Sequence, residues 1–204
     1  MHAFTPLAAV LAVVSMAGVA SAAPLGDGAT LVYEVKRGFL SSEISAKASA
    51  LGATRTLVAG NETVLYDWES LVSVVMNDAP AGFDPQIKVE GTPATAPGSR
   101  WRVGYRQMPS STSQCREASE QDVEIEVEAG GKATVQTAAG PVEVDTVTLN
   151  MNGSWSACRN NGAWKSKRVL APQQHLMLSN DFSSWLLSGQ TVGASKARLL
   201  RLTP

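Results

Sequence analysis

The sequence predicts a mainly β protein, a curved antiparallel sheet or half-open β-barrel with one or two short helices and one disulfide. Three observations carry this. Apolar residues recur at every second position through most of the chain, the period of a strand with one face buried. The stretch PVEVDTVTLNM, residues 141–151, changes phase part-way along, as a bulged strand in a bent sheet does. Only two cysteines occur, Cys115 and Cys158, in a chain that begins as exported proteins begin.

The 204-residue chain opens with an apolar run, Leu7 to Ala20, ending in the small triplet Ala20-Ser21-Ala22. Residues 1–22 therefore read as a cleaved secretory signal peptide. The run is shorter than the roughly 20 residues that span a bilayer, no later segment approaches that length, and no cysteine stands at the cleavage point to take a lipid. A periplasmic or secreted product without a membrane span is expected, with residues 23–204 as a single β-rich domain. The 17 basic and 18 acidic residues leave a net charge of -1, so nothing global attracts nucleic acid or an anionic membrane. In an oxidising compartment the simplest use of Cys115 and Cys158 is one structural disulfide. The functional alternative, a redox pair or half a metal site, has no C-x-x-C spacing behind it, and His175 is the only histidine beyond the signal. No metal or cofactor is expected.

Along the chain, Leu31, Tyr33 and Val35 alternate with Val32, Glu34 and Lys36, and Trp101, Val103 and Tyr105 alternate with Arg100, Arg102, Gly104 and Arg106. SEISAKASAL fits helix or strand equally. Residues 79–99 carry four prolines and read as loop around a short strand at Gln86 to Glu90, while 109–120 form a second loop pinned by Cys115. Val123, Ile125 and Val127 alternate with acids before AGG leads into KATVQT. A three-residue Ala129-Gly130-Gly131 turn pairs Val127 with Ala133 and Ile125 with Val135, whereas a two-residue turn mixes the faces, so the first register is expected. The phase change between Val144 and Val147 places the bulge near Asp145-Thr146. SNDFSSWLLSG, with Phe182, Trp185 and Leu186 at helical spacing before Gly189, is a weak helix signal. Asn61 and Asn152 begin sequons that matter only in a eukaryotic secretory pathway.

WSACRNNGAWKSK, residues 155–167, reads as a hairpin turning at Asn161-Gly162, because both residues tolerate positive φ. Outward pairing sets Arg159 against Trp164, Ala157 against Ser166 and Trp155 against Arg168, all on one face. Ser156, Cys158, Lys165 and Lys167 take the other. Two readings of Trp155, Arg159, Trp164 and Arg168 compete: rings that cap a core under arginine stems, or aromatic faces and cations offered to an anionic amphiphile, a glycan or a peptide end. Arg100, Arg102 and Arg106 are expected to pair with Glu124, Glu126 and Glu128 on a neighbouring strand as a solvated ladder.

No G-x-S-x-G, H-E-x-x-H, G-x-G-x-x-G or P-loop pattern occurs, so no catalytic residue is assigned. A non-catalytic binding module for a cell-envelope lipid, glycan or other amphiphile is the leading expectation. A hydrolase working through His175, with Asp181 near in sequence, is the alternative, and a module that binds an envelope protein along an exposed sheet edge is the third.

The order LVYEVKRG, GSRWRVGYR, AAGPVEVDTVTL, VLAPQQHLML resembles uncharacterised exported bacterial β-sheet domains. In these a glycine-containing turn and a VDTV-like strand precede a strand entered through Ala-Pro. The resemblance covers most of the chain beyond residue 22. It implies a strongly curved antiparallel sheet or open barrel in the periplasm, without an assigned reaction.

Overall fold

A computed structural model describes residues 26–51, 54–77, 83–109 and 115–203; the expected signal peptide lies outside them. The chain runs through β1 (Thr30–Arg37), β2 (Leu40–Leu51), β3 (Thr54–Ala59), β4 (Glu62–Asp67), β5 (Val72–Asn77), β6 (Lys88–Glu90), β7 (Arg100–Gln107), β8 (Ser119–Thr137), β9 (Gly140–Ala157), β10 (Asn160–Ala171), β11 (Leu176–Leu186) and β12 (Thr191–Thr203). These form one 12-stranded sheet in the order β5-β4-β3-β2-β1-β12-β11-β10-β9-β8-β7-β6, with neighbours antiparallel. The first and last strands meet in mid-sheet, and the sheet curls until β5 lies against β7. There the Trp101 indole N–H donates to the Ser70 carbonyl at 3.0 Å, and Leu71, Val72 and Val74 pack on Trp101, Val103 and Tyr105. Curling lets one sheet bury its own concave face, so the expected half-open barrel is the architecture found.

The longest hairpin corrects two expectations. Ala129-Gly130-Gly131 is not a turn: β8 continues through it, with Val127 opposite Leu149 and Ala133 opposite Val144. The turn comes at Ala138-Ala139, where the Thr137 hydroxyl donates to the Gly140 carbonyl at 2.7 Å and Gly140 takes φ +112°. The bulge sits not at Asp145-Thr146 but across the ladder, where β8 shifts register between Val127 and Ala129. Beyond it the hairpin buries its other face. Val123, Ile125, Val127, Val147, Leu149 and Met151 belong to one core, Val135 and Val144 to a second with Leu31, Tyr33 and Leu57. The phase change in β9 thus marks a regular strand whose two faces are covered in turn. Gly130 suits the crossing, since a Cβ there would come within 3.3 Å of the Thr146 carbonyl oxygen.

SEISAKASAL forms β2, and SNDFSSWLLSG falls in β11 and its following turn instead of a helix. Ladders to β10 and β12 on both sides satisfy the β11 backbone, which outweighs a chance helical spacing. Among the described residues the only helical element is a 3₁₀ turn, Pro172–Gln174. The strand expected at Gln86 to Glu90 shortens to Lys88–Glu90 because Gln86 takes φ +48°. Arg100 pairs with Glu126 at 2.6 Å and Arg106 with Glu120 at 3.0 Å, while Arg102 lies opposite Glu124. Glu128 departs from that ladder: it bulges towards β10 and meets Lys167 at 2.7 Å. Cys115 and Cys158 form the expected disulfide.

Candidate functional site

The concave face encloses a cleft of about 900 Å³. Trp155, Trp164 and Arg168 line it, together with Tyr33, Tyr66, Tyr105, Met177, Asn180 and Phe182. Strand pairing explains why the two indoles point inward. Trp155 lies opposite Gly162 and Trp164 opposite Gly153, so each ring lies flat over a glycine of the neighbouring strand. Any Cβ at either glycine would overlap the indole above it. The Trp164 indole N–H donates to Gln121 Oε1 at 2.9 Å, and its ring meets Phe182 at 5.9 Å in a tilted contact.

This pairing corrects the expected turn. The hairpin reverses at Cys158-Arg159, with φ of +48° and +67°, and not at Asn161-Gly162. Asn-Gly is the better turn former, but Gly162 is needed beneath Trp155 and the disulfide holds Cys158 at the turn. The turn moves by three positions along the chain, which shifts every pairing by an even number, so Trp155, Trp164 and Arg168 keep a common face. Arg159 does not join them: it sits exposed in the turn.

Arg168 is 7% exposed and donates from Nε to Ser166 Oγ at 3.2 Å; Ser166 in turn donates to Asn180 Oδ1 at 2.6 Å. Among the described residues no carboxylate pairs with it. A buried guanidinium without a carboxylate keeps an electrostatic demand that an anion or strong acceptor in the cleft can meet. All three tyrosines of the chain line the cleft. The Tyr33 hydroxyl donates to the Met177 carbonyl at 3.0 Å and Tyr66 to Met177 Sδ at 3.2 Å. Burial pushes Tyr105 up to about 12 and raises Tyr33 and Tyr66, against the pull of Arg168 on Tyr66 and Tyr105. All three remain neutral hydroxyls at physiological pH. Alternation had marked Tyr33 and Tyr105 as inward-facing, but their convergence with Tyr66 follows only from the closure of the sheet.

His175 stands outside the cleft lining, in the left-handed region at φ +53°, and stacks on Trp68 with ring centroids 5.2 Å apart. Trp68 stacks in turn on Tyr66 at 5.7 Å. Among the described residues no side-chain hydrogen bond joins His175 to a serine or an acid. Burial, followed by repulsion from Arg55, lowers its pKa below the ordinary 6.5. The folded state then holds fewer protons on this ring than the unfolded chain does. Its contribution is present above about pH 6.5 and is lost as pH falls through the lowered folded value. His175→Gln is therefore expected to flatten the fall in melting temperature between pH 7 and pH 5. An unchanged slope in calorimetry contradicts this.

Cys115, Glu117 and Cys158 bring metal-type donors together, but the sulfurs are spent in the disulfide and offer no thiolate. Comparison of the sequence with protein-family models and with curated proteins gives no match. Among solved structures, the hypothetical lipoprotein YmcC of Escherichia coli K12 is similar with a TM-score of 0.46 and 11% identity, over 85% of this chain and 83% of that one. A Bacteroides fragilis protein described as exported and YmcC-like in fold gives 0.41 and 13%, over 89% and 98%. A Parabacteroides distasonis protein described as a lipoprotein gives 0.36 and 9%, over 88% and 97%.

Proposed function

We propose that the protein is a non-catalytic binding module of the periplasm or extracellular space that holds an amphiphile of the cell envelope in its cleft. The observation that carries this is Arg168, a buried cation without a carboxylate partner among the described residues, set in a wall of indoles, tyrosines, Phe182 and Met177. Apolar walls take a chain or the flat face of a sugar, and the guanidinium with Asn180 takes an anionic or acceptor-rich head. The cleft volume is within the range of small-molecule sites, roughly 300–1,000 Å³. Partner binding along a sheet edge has weaker support: β6, one terminal strand, has three residues and carries Lys88 and Glu90, features that blunt an edge.

The test is to purify the oxidised protein from its native envelope fraction and identify co-purifying small molecules by mass spectrometry. Wild type is compared with Arg168→Met and with a Trp155→Ala, Trp164→Ala double variant. The reading expects a lipid or glycolipid on wild type that both variants lose while still folded. Because Met fills the space without a desolvated charge, Arg168→Met is expected to be as stable as wild type or up to about 2 kcal/mol more stable. A bare wild-type cleft, or equal loading of Arg168→Met, overturns the reading.

A further inference from the structure

We infer that the rim around the cleft mouth is a docking surface for an anionic lipid bilayer. The strand directions bring the β1–β2, β3–β4, β9–β10 and β11–β12 turns and the Cys115 segment to one end of the barrel. The exposed large apolar side chains gather there. Phe39 (108% exposed) and Leu40 (77%) form the β1–β2 tip, Leu187 (73%) and Val192 (57%) the β11–β12 tip, and Val58 precedes the β3–β4 turn; among the described residues only Val89 lies elsewhere. Singly scattered apolar side chains need no explanation, but their concentration at one end does. The two tips belong to the same rim: the Leu187 amide donates to the Asn161 carbonyl at 3.1 Å, tying the β11–β12 tip to the β9–β10 hairpin.

Charge and shape select the occupant. Arg37, Arg116 and Arg159 are exposed on this rim and, among the described residues, none has an ion pair. Glu62 and Glu117 share the rim, and Asp84 is exposed at the same end beside Pro85, whose carbonyl accepts from the Arg106 amide. The rim is therefore balanced overall, and the arginines act as local cations beside the apolar tips. A protein partner needs a contiguous, shape-matched patch, whereas here the apolar groups project from separate turns with arginines beside them. Isolated rings and aliphatic tips inserting below phosphates that guanidinium groups engage is the pattern of a membrane interface. The cleft opens within this rim, since Arg37, Cys158, Asn160 and Val192 line it. Docking would therefore place its mouth on the lipid surface. This gives the amphiphile reading a source for its ligand, and only that use of the docked state rests on it.

The experiment is flotation of the oxidised protein with vesicles of phosphatidylcholine alone and of phosphatidylcholine with phosphatidylglycerol, at low and at physiological salt. Wild type should float with the anionic vesicles and less with the neutral ones. Phe39→Ser combined with Leu187→Ser should weaken partitioning at least about tenfold. Arg37→Gln with Arg159→Gln should remove the preference for anionic lipid, as should added salt. These positions are exposed, so the melts should match wild type. Failure of wild type to float, equal flotation of the tip variant, or Phe39-dependent self-association without vesicles overturns the inference. Trp155→Ala separates it from the cleft reading: loss of co-purified amphiphile with flotation intact leaves both standing. Flotation of a protein whose cleft is bare on purification keeps the docking surface and removes the amphiphile.

Discussion

Gly153→Ala is expected to lower the unfolding free energy by about 3 kcal/mol, a large effect for one methyl group. Its Cβ would fall on the six-membered ring and nitrogen of the Trp164 indole, a side chain only 6% exposed and fixed by its hydrogen bond to Gln121 and its contact with Phe182. No small rotation clears the overlap, so the ring must leave its place and open the core of β8, β9 and β10. Gly162→Ala acts likewise on Trp155, which is only half-buried, and should cost less. Urea denaturation checks both. Trp164→Leu in the Gly153→Ala background should recover part of the loss, because a smaller side chain leaves room for the methyl. A loss below about 1 kcal/mol in Gly153→Ala means that the ring does not lie on the glycine as described.

Removing the disulfide with Cys115→Ser and Cys158→Ser is expected to cost roughly 4 kcal/mol, the loop-closure value for the 43-residue separation. The turn modulates this figure. Cys158 and Arg159 both hold positive φ without being glycine, which costs of the order of 1 kcal/mol each. The bridge helps keep the turn there, against the better turn former three residues on. Pairing Cys115→Ser with Cys158→Gly should therefore cost less than the double serine variant, since glycine accepts φ +48° freely. Thermal melts of the oxidised protein and the two variants test this order. Equal melting temperatures for all three would show that the bridge constrains nothing the fold does not already hold.

Much of the architecture was legible in one dimension, and its failures are instructive. Alternation at Leu31, Tyr33, Trp101, Val103, Tyr105, Val123, Ile125 and Val127 states which side of each strand avoids water, and the structure buries all of these. The lone cysteine pair in an export context indicated the bridge, and like-spaced Arg and Glu rows indicated a ladder that β7 and β8 largely form. Faces survived even where the register did not: Trp155, Trp164 and Arg168 stayed together because the pairing error was even-numbered.

What the chain could not reveal locally were the choices made by distant partners. AGG has the composition of a turn, yet Gly130 and Gly131 serve where β8 crosses Thr146, and the reversal goes to Ala138-Ala139. Asn161-Gly162 is the better isolated turn, but glycines are required beneath two indoles and a disulfide pins the reversal at Cys158. Helical spacing in SNDFSSWLLSG gave way to two ladders that satisfy its backbone. By itself the sequence determined most of the buried face of each strand, because burial follows period and polarity within a few neighbours. Val32, on the expected wet face, is buried and Val35 only half-buried, beside a register shift between Val32 and Tyr33. Only the tertiary structure decided which buried residues meet. Closing the sheet brings Tyr33, Tyr66, Tyr105 and Arg168 from four strands around one cleft, a packing energy shared by residues up to 135 positions apart that no local pattern encodes.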